Sequence, residues 1–301
     1  MSACPPEIPN VYKIAYPERQ TVPLVFDSPH SGVFYPGDYN YSCDLALLRQ
    51  TEDSFIDDLY SGVTKIGAPL LSAQFARNYI DVNRAEDEID PDLLEADWPN
   101  PYAPSVRASA GHGIVHRLIR AGSPIYERRL SVAEVQNRID CYYRPYHAAL
   151  KHLLDQTYEK FGEVFYIDCH SMNSTRAPAG SAFTNGQADF VLGDRDGTSC
   201  NPRLTRYIKE FLSDLGYKVY INNPYKGVEL MKRYSDPLRG RHSLQIEISK
   251  ALYLNEVTQE KNKYYNDLKA DIEKLSSFLA ELTNSGSRHE KKLFQALSPQ
   301  P

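Results

Sequence analysis

The chain has 301 residues, of which 42% are hydrophobic, so it can bury the core of one large α/β domain or two small ones. Its formal net charge is -5 and its pI is near 5.9, which excludes the basic excess of a typical nucleic-acid-binding protein. No stretch approaches the roughly 18 apolar residues of a membrane span, and the first residues lack the basic and apolar regions of a signal peptide. We therefore expect a cytoplasmic protein that binds neither nucleic acid nor membrane.

The first third of the chain is predicted to alternate short strands with short helices. Residues 1–20 show no clear pattern and are expected to form an irregular lead-in. The apolar run at 24–26 predicts a buried strand that breaks into a polar loop at 27–32. Four more elements follow, namely a short helix over 44–49, a helix over 53–62 closed by glycine, and two strands over 69–73 and 78–82.

Segment 85–112 is acidic, contains prolines and lacks a periodic pattern. It is too long for a plain connection within a compact domain, so we expect an active-site loop there. Residues 131–160 form the longest helical candidate, and Ser131 and Glu134 have the spacing of a capping box at its start.

The C-terminal half again alternates strands with helices. The predicted strands lie within 164–171, 190–192, 218–221 and 242–248, and the predicted helices cover 202–215 and 257–282. This alternation predicts a three-layer α/β/α fold with a mixed, mainly parallel central sheet. We expect a single catalytic domain over 21–283 and a flexible tail over 284–301.

Two predicted strands deliver a histidine at the same edge of the sheet. The run at 24–26 leads to His30, and the run that begins at 164 leads through Asp168 to His170. In open α/β sheets, ligands bind outside the carboxyl ends of the strands, so the two imidazoles can converge although 140 residues separate them. We predict that His30 and His170 share a metal ion.

A catalytic zinc site has three protein ligands and an open position for water. His30 and His170 supply two ligands, and the third is expected to be a carboxylate. Glu52 and Asp53 are adjacent candidates at the start of a predicted helix, and we prefer Asp53. The alternative is that Asp53 is a helix N-cap and that both histidines are structural. The expected cofactor is Zn2+, with another divalent metal as the alternative.

Hydrolysis by a metal-activated water also needs a general base. Glu247 is the only acid in the apolar strand over 242–248, and burying it without a partner would be costly. We predict that Glu247 is the base. The alternative is a solvent-facing glutamate on an edge strand.

Arg77 and Arg84 bracket the predicted strand over 78–82, and arginine is the side chain that binds carboxylates bidentately. Asn83, next to Arg84, adds an amide that can hold the same group. We predict that this pair binds a carboxylate of the ligand, and surface salt bridges to nearby acids are the alternative. The remaining histidines are expected to be structural or exposed, although His116 lies in a segment that can border the site.

Seven short motifs, in order along the chain, together resemble one known family. The motifs are Ser28-Pro-His-Ser-Gly32, Glu52-Asp53, Arg77-x-Tyr-Ile-Asp-Val-Asn-Arg84, Asp168-Cys-His-Ser171, Gly193-Asp-Arg195, Asn223-Pro-Tyr-Lys-Gly227 and Gln245-Ile-Glu247. From about residue 20 to 255, the chain resembles the N-formylglutamate amidohydrolases. That family is similar in fold to the zinc carboxypeptidases and aspartoacylase, whose sites bind zinc through two histidines and a carboxylate.

The resemblance implies a role for each matching residue. It implies zinc ligation by His30, Asp53 and His170, carboxylate binding by Asn83 and Arg84, and a base in Glu247. Two positions depart from the expected patterns. The carboxypeptidases have a metal-binding glutamate three residues after the first histidine, where this chain has Val33, so Asp53 is inferred as the carboxylate. Val228 follows Gly227 where the amidohydrolase pattern has a second glycine.

The resemblance also implies the reaction, which is metal-dependent hydrolysis of N-formyl-L-glutamate to formate and L-glutamate in histidine degradation. This small acidic substrate has two carboxylates and calls for two cationic anchors. Arg84 is the first choice, and Arg77 or Arg176 is the second. One alternative is a related hydrolase of another N-acyl amino acid or short peptide. The other is a catalytically silent protein that binds acidic small molecules.

Overall fold

The computed structural model describes residues 7–174 and 188–284 of the chain. Over these residues it contains eleven β-strands and eight α-helices, numbered in chain order. The strands are β1 (Tyr12–Ala15), β2 (Leu24–Ser28), β3 (Leu70–Ala73), β4 (Leu118–Arg120), β5 (Ser123–Pro124), β6 (Val164–Met172), β7 (Phe190–Gly193), β8 (Val219–Ile221), β9 (Arg241–Ser249), β10 (Leu254–Asn255) and β11 (Glu260–Lys261). The helices are α1 (Leu45–Arg49), α2 (Ile56–Leu59), α3 (Val106–Ser109), α4 (Val132–Arg138), α5 (Arg144–Phe161), α6 (Pro202–Asp214), α7 (Glu229–Tyr234) and α8 (Tyr265–Asn284).

A seven-stranded sheet in the order β1-β3-β2-β6-β9-β7-β8 forms the centre of the described residues. Strands β3, β2, β6 and β9 run parallel, whereas β1 is antiparallel to β3 at one edge. Strand β7 is antiparallel to β9, and β8 is parallel to β7. Helices flank both faces of the sheet. The predicted α/β fold with a mixed, mainly parallel sheet is therefore confirmed, and its likeness to the zinc carboxypeptidases stays a prediction.

The sheet separates two hydrophobic cores, because successive side chains of a strand point to opposite faces. On one face, Val25 and Tyr166 belong to the same core as Leu150 of α5. On the other face, Phe26 and Ile167 belong to a core that includes α2, α6 and α8. Every residue of β2 and β6 is buried, so both central strands need apolar residues on both sides. This burial explains why they appear in the sequence as continuous apolar runs.

Strand β1 lies inside the segment predicted as an irregular lead-in over 1–20, so that prediction is wrong for Tyr12–Ala15. The strand pairs antiparallel with β3 at the edge of the sheet. Tyr12 and Ile14 are buried, whereas Lys13 between them is exposed. A four-residue strand repeats this alternation only twice, which is too short a pattern to be recognised in the sequence.

The predicted strand over 78–82 is absent, and the chain makes turns there instead. The Tyr79 N–H donates to the Ala76 carbonyl at 3.0 Å, and the Arg84 N–H donates to the Asp81 carbonyl at 3.2 Å. The segment pairs with no strand of the described sheet. Its apolar side chains are nevertheless buried, and burial alone gives the apolar pattern that predicts a strand.

The helix predicted over 53–62 begins later than expected. Helix α2 starts at Ile56, directly after Phe55 adopts a left-handed conformation with a φ of 64°. A 3-10 helix follows, and Gly67, with a φ of 85°, ends it. Asp53 therefore lies ahead of the helix rather than inside it.

Most other predicted elements are found within two residues of their predicted bounds. The final helix is an exception, because the hairpin of β10 and β11 precedes it and α8 begins only at Tyr265. Segment 85–112 contains a 3-10 helix at Pro91–Leu93 and helix α3, and its role as an active-site loop stays a prediction. Residues 285–301 of the predicted tail lie outside the described residues. None of the described helices combines the length and the apolar character needed to span a bilayer.

The helix predicted over 131–160 forms with the expected N-terminus. The Glu134 N–H donates to the Ser131 hydroxyl at 3.2 Å, and the Ser131 N–H donates to the Glu134 carboxylate at 2.8 Å. The capping box is therefore confirmed. The helix is not uniform, however, since Ile139–Tyr143 forms a π-helical segment between α4 and α5.

Loss of the capping hydroxyl is expected to destabilise the fold measurably. Ser131→Ala leaves the Glu134 N–H without its acceptor and should lower the free energy of unfolding by about 1 kcal/mol in urea denaturation. Ser277→Ala is the matched control, because this serine lies inside α8 and donates only to the Glu273 carbonyl of its own helix. The control should change stability by less than about 0.5 kcal/mol. Equal losses in the two variants would contradict the capping role.

Candidate metal centre and active site

His30 and His170 lie side by side at the carboxyl edge of the sheet. His30 follows β2 by two residues, and His170 lies near the C-terminal end of β6. Their Nδ1 atoms are 3.2 Å apart, and both side chains are buried. The structure thus brings the two histidines together, as the sequence predicts.

Gly32 lets the loop after β2 pass close to the chain that leaves β3. A Cβ atom at this position would clash with the backbone of Gln74 and Phe75. The close approach is held by hydrogen bonds, since the Phe34 N–H donates to the Gln74 carbonyl at 2.8 Å. There is no room for a side chain at position 32, so glycine is required there. The close approach that it permits holds the loop that carries His30 in place.

Asp53 completes a set of three possible metal donors. Its Oδ2 atom lies 3.0 Å from Nδ1 of His170 and 3.5 Å from Nδ1 of His30. The Asp53 N–H donates to the His30 carbonyl at 3.0 Å, and the Ser171 hydroxyl donates to Oδ1 at 3.2 Å. One donor atom from each of the three residues lies within 4.8 Å of the other two. Two imidazole nitrogens and a carboxylate oxygen form a set that suits catalytic zinc.

Glu52, the adjacent acid, has different partners. Its carboxylate accepts hydrogen bonds from the Tyr35 hydroxyl and from Ser54, the latter at 3.3 Å. The Arg49 guanidinium lies 3.7 Å away. Of the two acids that the sequence offers, the structure therefore places Asp53, and not Glu52, beside the histidines.

A carboxylate faces the far nitrogen of each histidine. Asp81 Oδ1 lies 2.7 Å from Nε2 of His30, and Asp168 Oδ1 lies 2.8 Å from Nε2 of His170. A neutral imidazole that directs its Nε2–H at a carboxylate, as His30 can at Asp81, keeps the Nδ1 lone pair free for a metal. These two roles are absent from the sequence-based predictions. Asp168 carries a usable signal, because two residues along a strand return to the same face. No local pattern marks Asp81.

The acids at this centre depend on the positive groups around them. Burial would raise the pKa of Asp53, but hydrogen bonds from His170 and His30 hold it well below its usual range. Burial also acts on Asp81, and there the charges of His30 and Arg77 hold the pKa well below its usual range. Both acids are therefore ionised at neutral pH and available to bind cations.

Asp27 lies beside Asp168 in the neighbouring strand. Burial, followed by the charge of Asp168, raises the pKa of Asp27 well above its ordinary value. The Tyr146 hydroxyl donates to Asp27 at 2.8 Å. Burial lowers the pKa of His170, but Asp168 and Asp53 outweigh it and raise that pKa well above its usual value.

Arg77 and His116 both contact Asp81. One terminal nitrogen of Arg77 donates to Asp81 Oδ2 at 3.0 Å, and the other lies 3.8 Å from Asp53 Oδ1. His116 Nε2 lies 3.2 Å from Asp81 Oδ2, and burial lowers the pKa of His116 to about 4. His116 therefore borders the site as a neutral imidazole, in the position that the sequence suggested for it.

Asn83 and Arg84 are buried at the same centre and already engaged. Asn83 Nδ2 lies 3.2 Å from Nε2 of His170, and its Oδ1 accepts the Leu230 N–H at 3.0 Å. Arg84 donates from Nε and Nη1 to two main-chain carbonyls at 3.0 and 2.9 Å. Arg84 is only 6% exposed, which excludes the alternative of a surface salt bridge. Arg176, the remaining candidate anchor, lies outside the described residues.

Glu247 lies next to His170 in the adjacent strand β9. It is 7% exposed in an interior strand, which excludes a solvent-facing edge position. Gln245 Nε2 donates to Glu247 Oε1 at 2.8 Å. Burial raises the pKa of Glu247 to about 8, with Asp53 adding to this effect and His170 opposing it. A carboxylate of high proton affinity beside three possible metal donors is an arrangement that suits metal-assisted hydrolysis.

This chain is similar in sequence to known proteins. A protein-family model described as N-formylglutamate amidohydrolase matches residues 22–254. The N-formylglutamate deformylase of Pseudomonas putida is 28% identical over 251 residues, which cover 82% of this chain and 86% of the relative. The N-formylglutamate deformylase of Pseudomonas aeruginosa is 26% identical over 247 residues, which cover 79% of this chain and 85% of the relative.

The fold is shared as well. The crystal structure of N-formylglutamate amidohydrolase from Ralstonia eutropha JMP134 matches with a TM-score of 0.87 at 43% sequence identity. The match covers 92% of this chain and 99% of that one. Family model, relatives and solved structure agree over most of the chain, which therefore belongs to the N-formylglutamate amidohydrolase family.

Proposed function

We propose that the protein is a zinc-dependent amidohydrolase that cleaves N-formyl-L-glutamate into formate and L-glutamate, a step of histidine degradation. The main support is the convergence of His30, Asp53 and His170 in the strand-end site, with Glu247 in the adjacent strand. The relatives named N-formylglutamate deformylase support the choice of substrate.

His30, Asp53 and His170 fit the metal that the family resemblance implies. Both imidazoles present Nδ1 to the same point, and the hydrogen bond between Nε2 and Asp81 fixes the orientation of His30. We assign these three residues as the ligands, which leaves a coordination position for water. When bound, the cation polarises the formyl carbonyl and lowers the pKa of the attacking water.

Glu247 is assigned as the general base. It takes a proton from water as the water oxygen bonds to the formyl carbon. It then returns that proton to the nitrogen as the carbon–nitrogen bond breaks, so formate and L-glutamate leave and Glu247 is regenerated. The hydrogen bond from Gln245 occupies Oε1, which leaves Oε2 to carry the proton.

The two carboxylates of the substrate require cationic anchors. We assign Arg84 to one of them, with Asn83 beside it, and Arg77 or Arg176 to the other. Arg77 suits a ligand anchor because its buried Nε–H has no hydrogen-bond acceptor among the described residues. A buried donor without an acceptor is costly unless a ligand supplies one.

Metal removal tests the proposal as a whole. A chelator is expected to abolish formate release from N-formyl-L-glutamate, and added Zn2+ is expected to restore it, because the cation would polarise the formyl carbonyl and lower the pKa of the water from which Glu247 takes a proton. Formate is measured with formate dehydrogenase, and N-acetyl-L-glutamate is assayed in parallel by amine release. Full activity after chelation would contradict metal dependence. Metal-dependent cleavage of other acyl amino acids alone would support the related hydrolase, and an inert protein without metal would support the silent binding protein.

The ligand assignment is tested with two neighbouring acids. Asp53→Asn should reduce Zn2+ affinity by more than tenfold, since even changes outside the ligand shell cost about 10- to 100-fold. Glu52→Gln is the matched control and should retain affinity, because Glu52 contacts Tyr35 and Ser54 rather than the histidines. Affinity is measured by competition with a chromogenic chelator. The reverse ranking of the two variants would move the ligand to Glu52.

The base assignment is tested by Glu247→Gln, which keeps the shape of the side chain but cannot accept the proton. We expect normal Zn2+ content and a loss of kcat of about 10²- to 10⁴-fold, the range for a general base. Glu260→Gln on the exposed strand β11 is the control and should leave kcat unchanged. Retained turnover in Glu247→Gln would remove this residue as the base.

A further inference from the structure

Residues 77–84, called here the site segment, bring four polar side chains to the active centre without belonging to the sheet. These side chains are Arg77, Asp81, Asn83 and Arg84. A strand would be held by a ladder of backbone hydrogen bonds. Among the described residues, this segment instead makes local turns, and a single backbone N–H donates to a distant carbonyl, from Asp81 to Ile114 at 2.7 Å. Something else must therefore fix its carbonyl groups.

Side chains from one neighbouring helical stretch bind three of these carbonyls. The donors are an arginine, a tyrosine and a histidine, all buried. The contacts are Arg138 Nη1 to the Tyr79 carbonyl at 3.0 Å, His147 Nε2 to the Val82 carbonyl at 3.0 Å, and Tyr143 hydroxyl to the Arg84 carbonyl at 2.8 Å. The bound carbonyls belong to residues before and after Asp81 and to both neighbours of Asn83. Asp81 and Asn83 therefore lie between backbone positions that are held by hydrogen bonds.

The π-helical segment Ile139–Tyr143 brings the side chains of Arg138 and Tyr143 closer to one face of the helical stretch. In a regular α-helix of 3.6 residues per turn, Arg138 and Tyr143, five residues apart, would be rotated by about 140° from each other. A π-turn has hydrogen bonds between residues i and i+5 and more residues per turn, so it reduces the rotation between these two side chains. His147 lies in α5, four residues after Tyr143, so the two side chains lie on the same face of the helical stretch.

Pro145 gives a physical reason for this local widening. It lies at the start of α5, directly after the π-helical segment. Proline has no N–H to donate to the carbonyl four residues earlier, at Cys141, and its ring crowds that carbonyl. A wider turn relieves the crowding, so the sequence itself specifies the register that aligns the donors.

The protonation state of His147 agrees with its role as a donor. A carbonyl such as that of Val82 only accepts hydrogen bonds, so Nε2 carries the proton. Nδ1 then accepts the hydrogen bond of the Tyr234 hydroxyl at 2.8 Å. Burial lowers the pKa of His147 to about 3, so the ring is neutral at physiological pH. The ring can therefore bridge α7 and the site segment in one fixed tautomer.

Arg138 is held in place without an acidic partner. Its guanidinium carbon lies 4.1 Å from the ring centre of Tyr79 and 5.6 Å from that of Tyr126, whose hydroxyl also accepts a hydrogen bond at 2.8 Å. No ion pair to Arg138 is found among the described residues. Because an arginine buried in this way is costly to disturb, its replacement risks unfolding and is a poor test.

We propose that Arg138, Tyr143 and His147 form a carbonyl clamp that positions the site segment for metal and substrate binding. The clamp sets Asp81 against His30 and fixes the direction of the Arg84 side chain. Its three members touch neither metal nor substrate, so they are positioning residues. The substrate part of this inference rests on the proposed function, whereas the metal part depends only on the three ligands.

Tyr143→Phe tests the clamp by removing a single hydrogen bond to the Arg84 carbonyl. We expect KM for N-formyl-L-glutamate to rise about fivefold with little change in kcat, the effect of one hydrogen bond on Arg84. Tyr142→Phe is the matched control, because its hydroxyl has no hydrogen-bond partner among the described residues and its ring packs on Tyr79. The control should leave KM unchanged. An unchanged KM in Tyr143→Phe would overturn the substrate part.

A pair of substitutions at His147 tests the metal part without any assay of turnover. His147→Leu removes the donor to Val82 and should weaken Zn2+ binding about tenfold, as loss of support around a ligand does. His147→Gln offers an amide N–H at a similar place and should recover most of that affinity. Thermal unfolding is measured on the same samples. Lower melting temperatures with unchanged Zn2+ affinity in both variants would show that the contact is merely structural, whether or not the protein deformylates N-formyl-L-glutamate. If His147→Leu does not fold, Zn2+ affinity is compared between Tyr143→Phe and Tyr142→Phe, and equal values would overturn the metal part.

Discussion

The burial of several carboxylates at one edge of the sheet is the constraint on which the rest of this structure depends. Asp53, Asp81, Asp168 and Glu247 are all almost completely removed from water. Burying that many acids is strongly unfavourable unless each finds a partner. Two histidines and Arg77 supply most of those partners. The histidines that offset the cost of burying these acids are also two of the proposed metal ligands. The same groups therefore serve both the stability of the fold and its proposed chemistry.

The polar residues of the site lie on two kinds of main-chain structure, paired strands and an irregular segment. His170 and Glu247 are placed by the register of β6 and β9, which pair along nine consecutive residues. The site segment over 77–84 has no such register and relies on side chains from α4, α5 and the turn between them. The sheet therefore faces a segment whose carbonyl groups are bound by three side chains. The π-helical turn lies in the helical stretch that supplies those side chains.

The parts of the site that the sequence predicts are those with a local pattern. His170 follows an apolar strand, and Glu247 interrupts one, so both stand out. Residues 78–82 of the site segment are predicted to form a strand because a buried turn and a buried strand have the same apolar composition. No pattern in the sequence indicates the role of Asp81, since the two histidines that it contacts, His30 and His116, are remote in sequence. The structure places Asp53 rather than Glu52 beside the histidines, by a short turn that is not apparent in the sequence, and the choice of Asp53 as a metal ligand stays a prediction.

The order of the groups along the chain has a consequence for folding during synthesis. His30, Asp53 and His170 are all complete once β6 has been made, and β2 and β6 pair directly. Glu247 comes with β9, which is made later and inserts between β6 and β7. A growing chain therefore has every proposed metal donor before it has a base. Ion capture at that stage would close the long connection between the two histidines and favour the pairing of the central strands, while the nascent protein is still unable to hydrolyse anything.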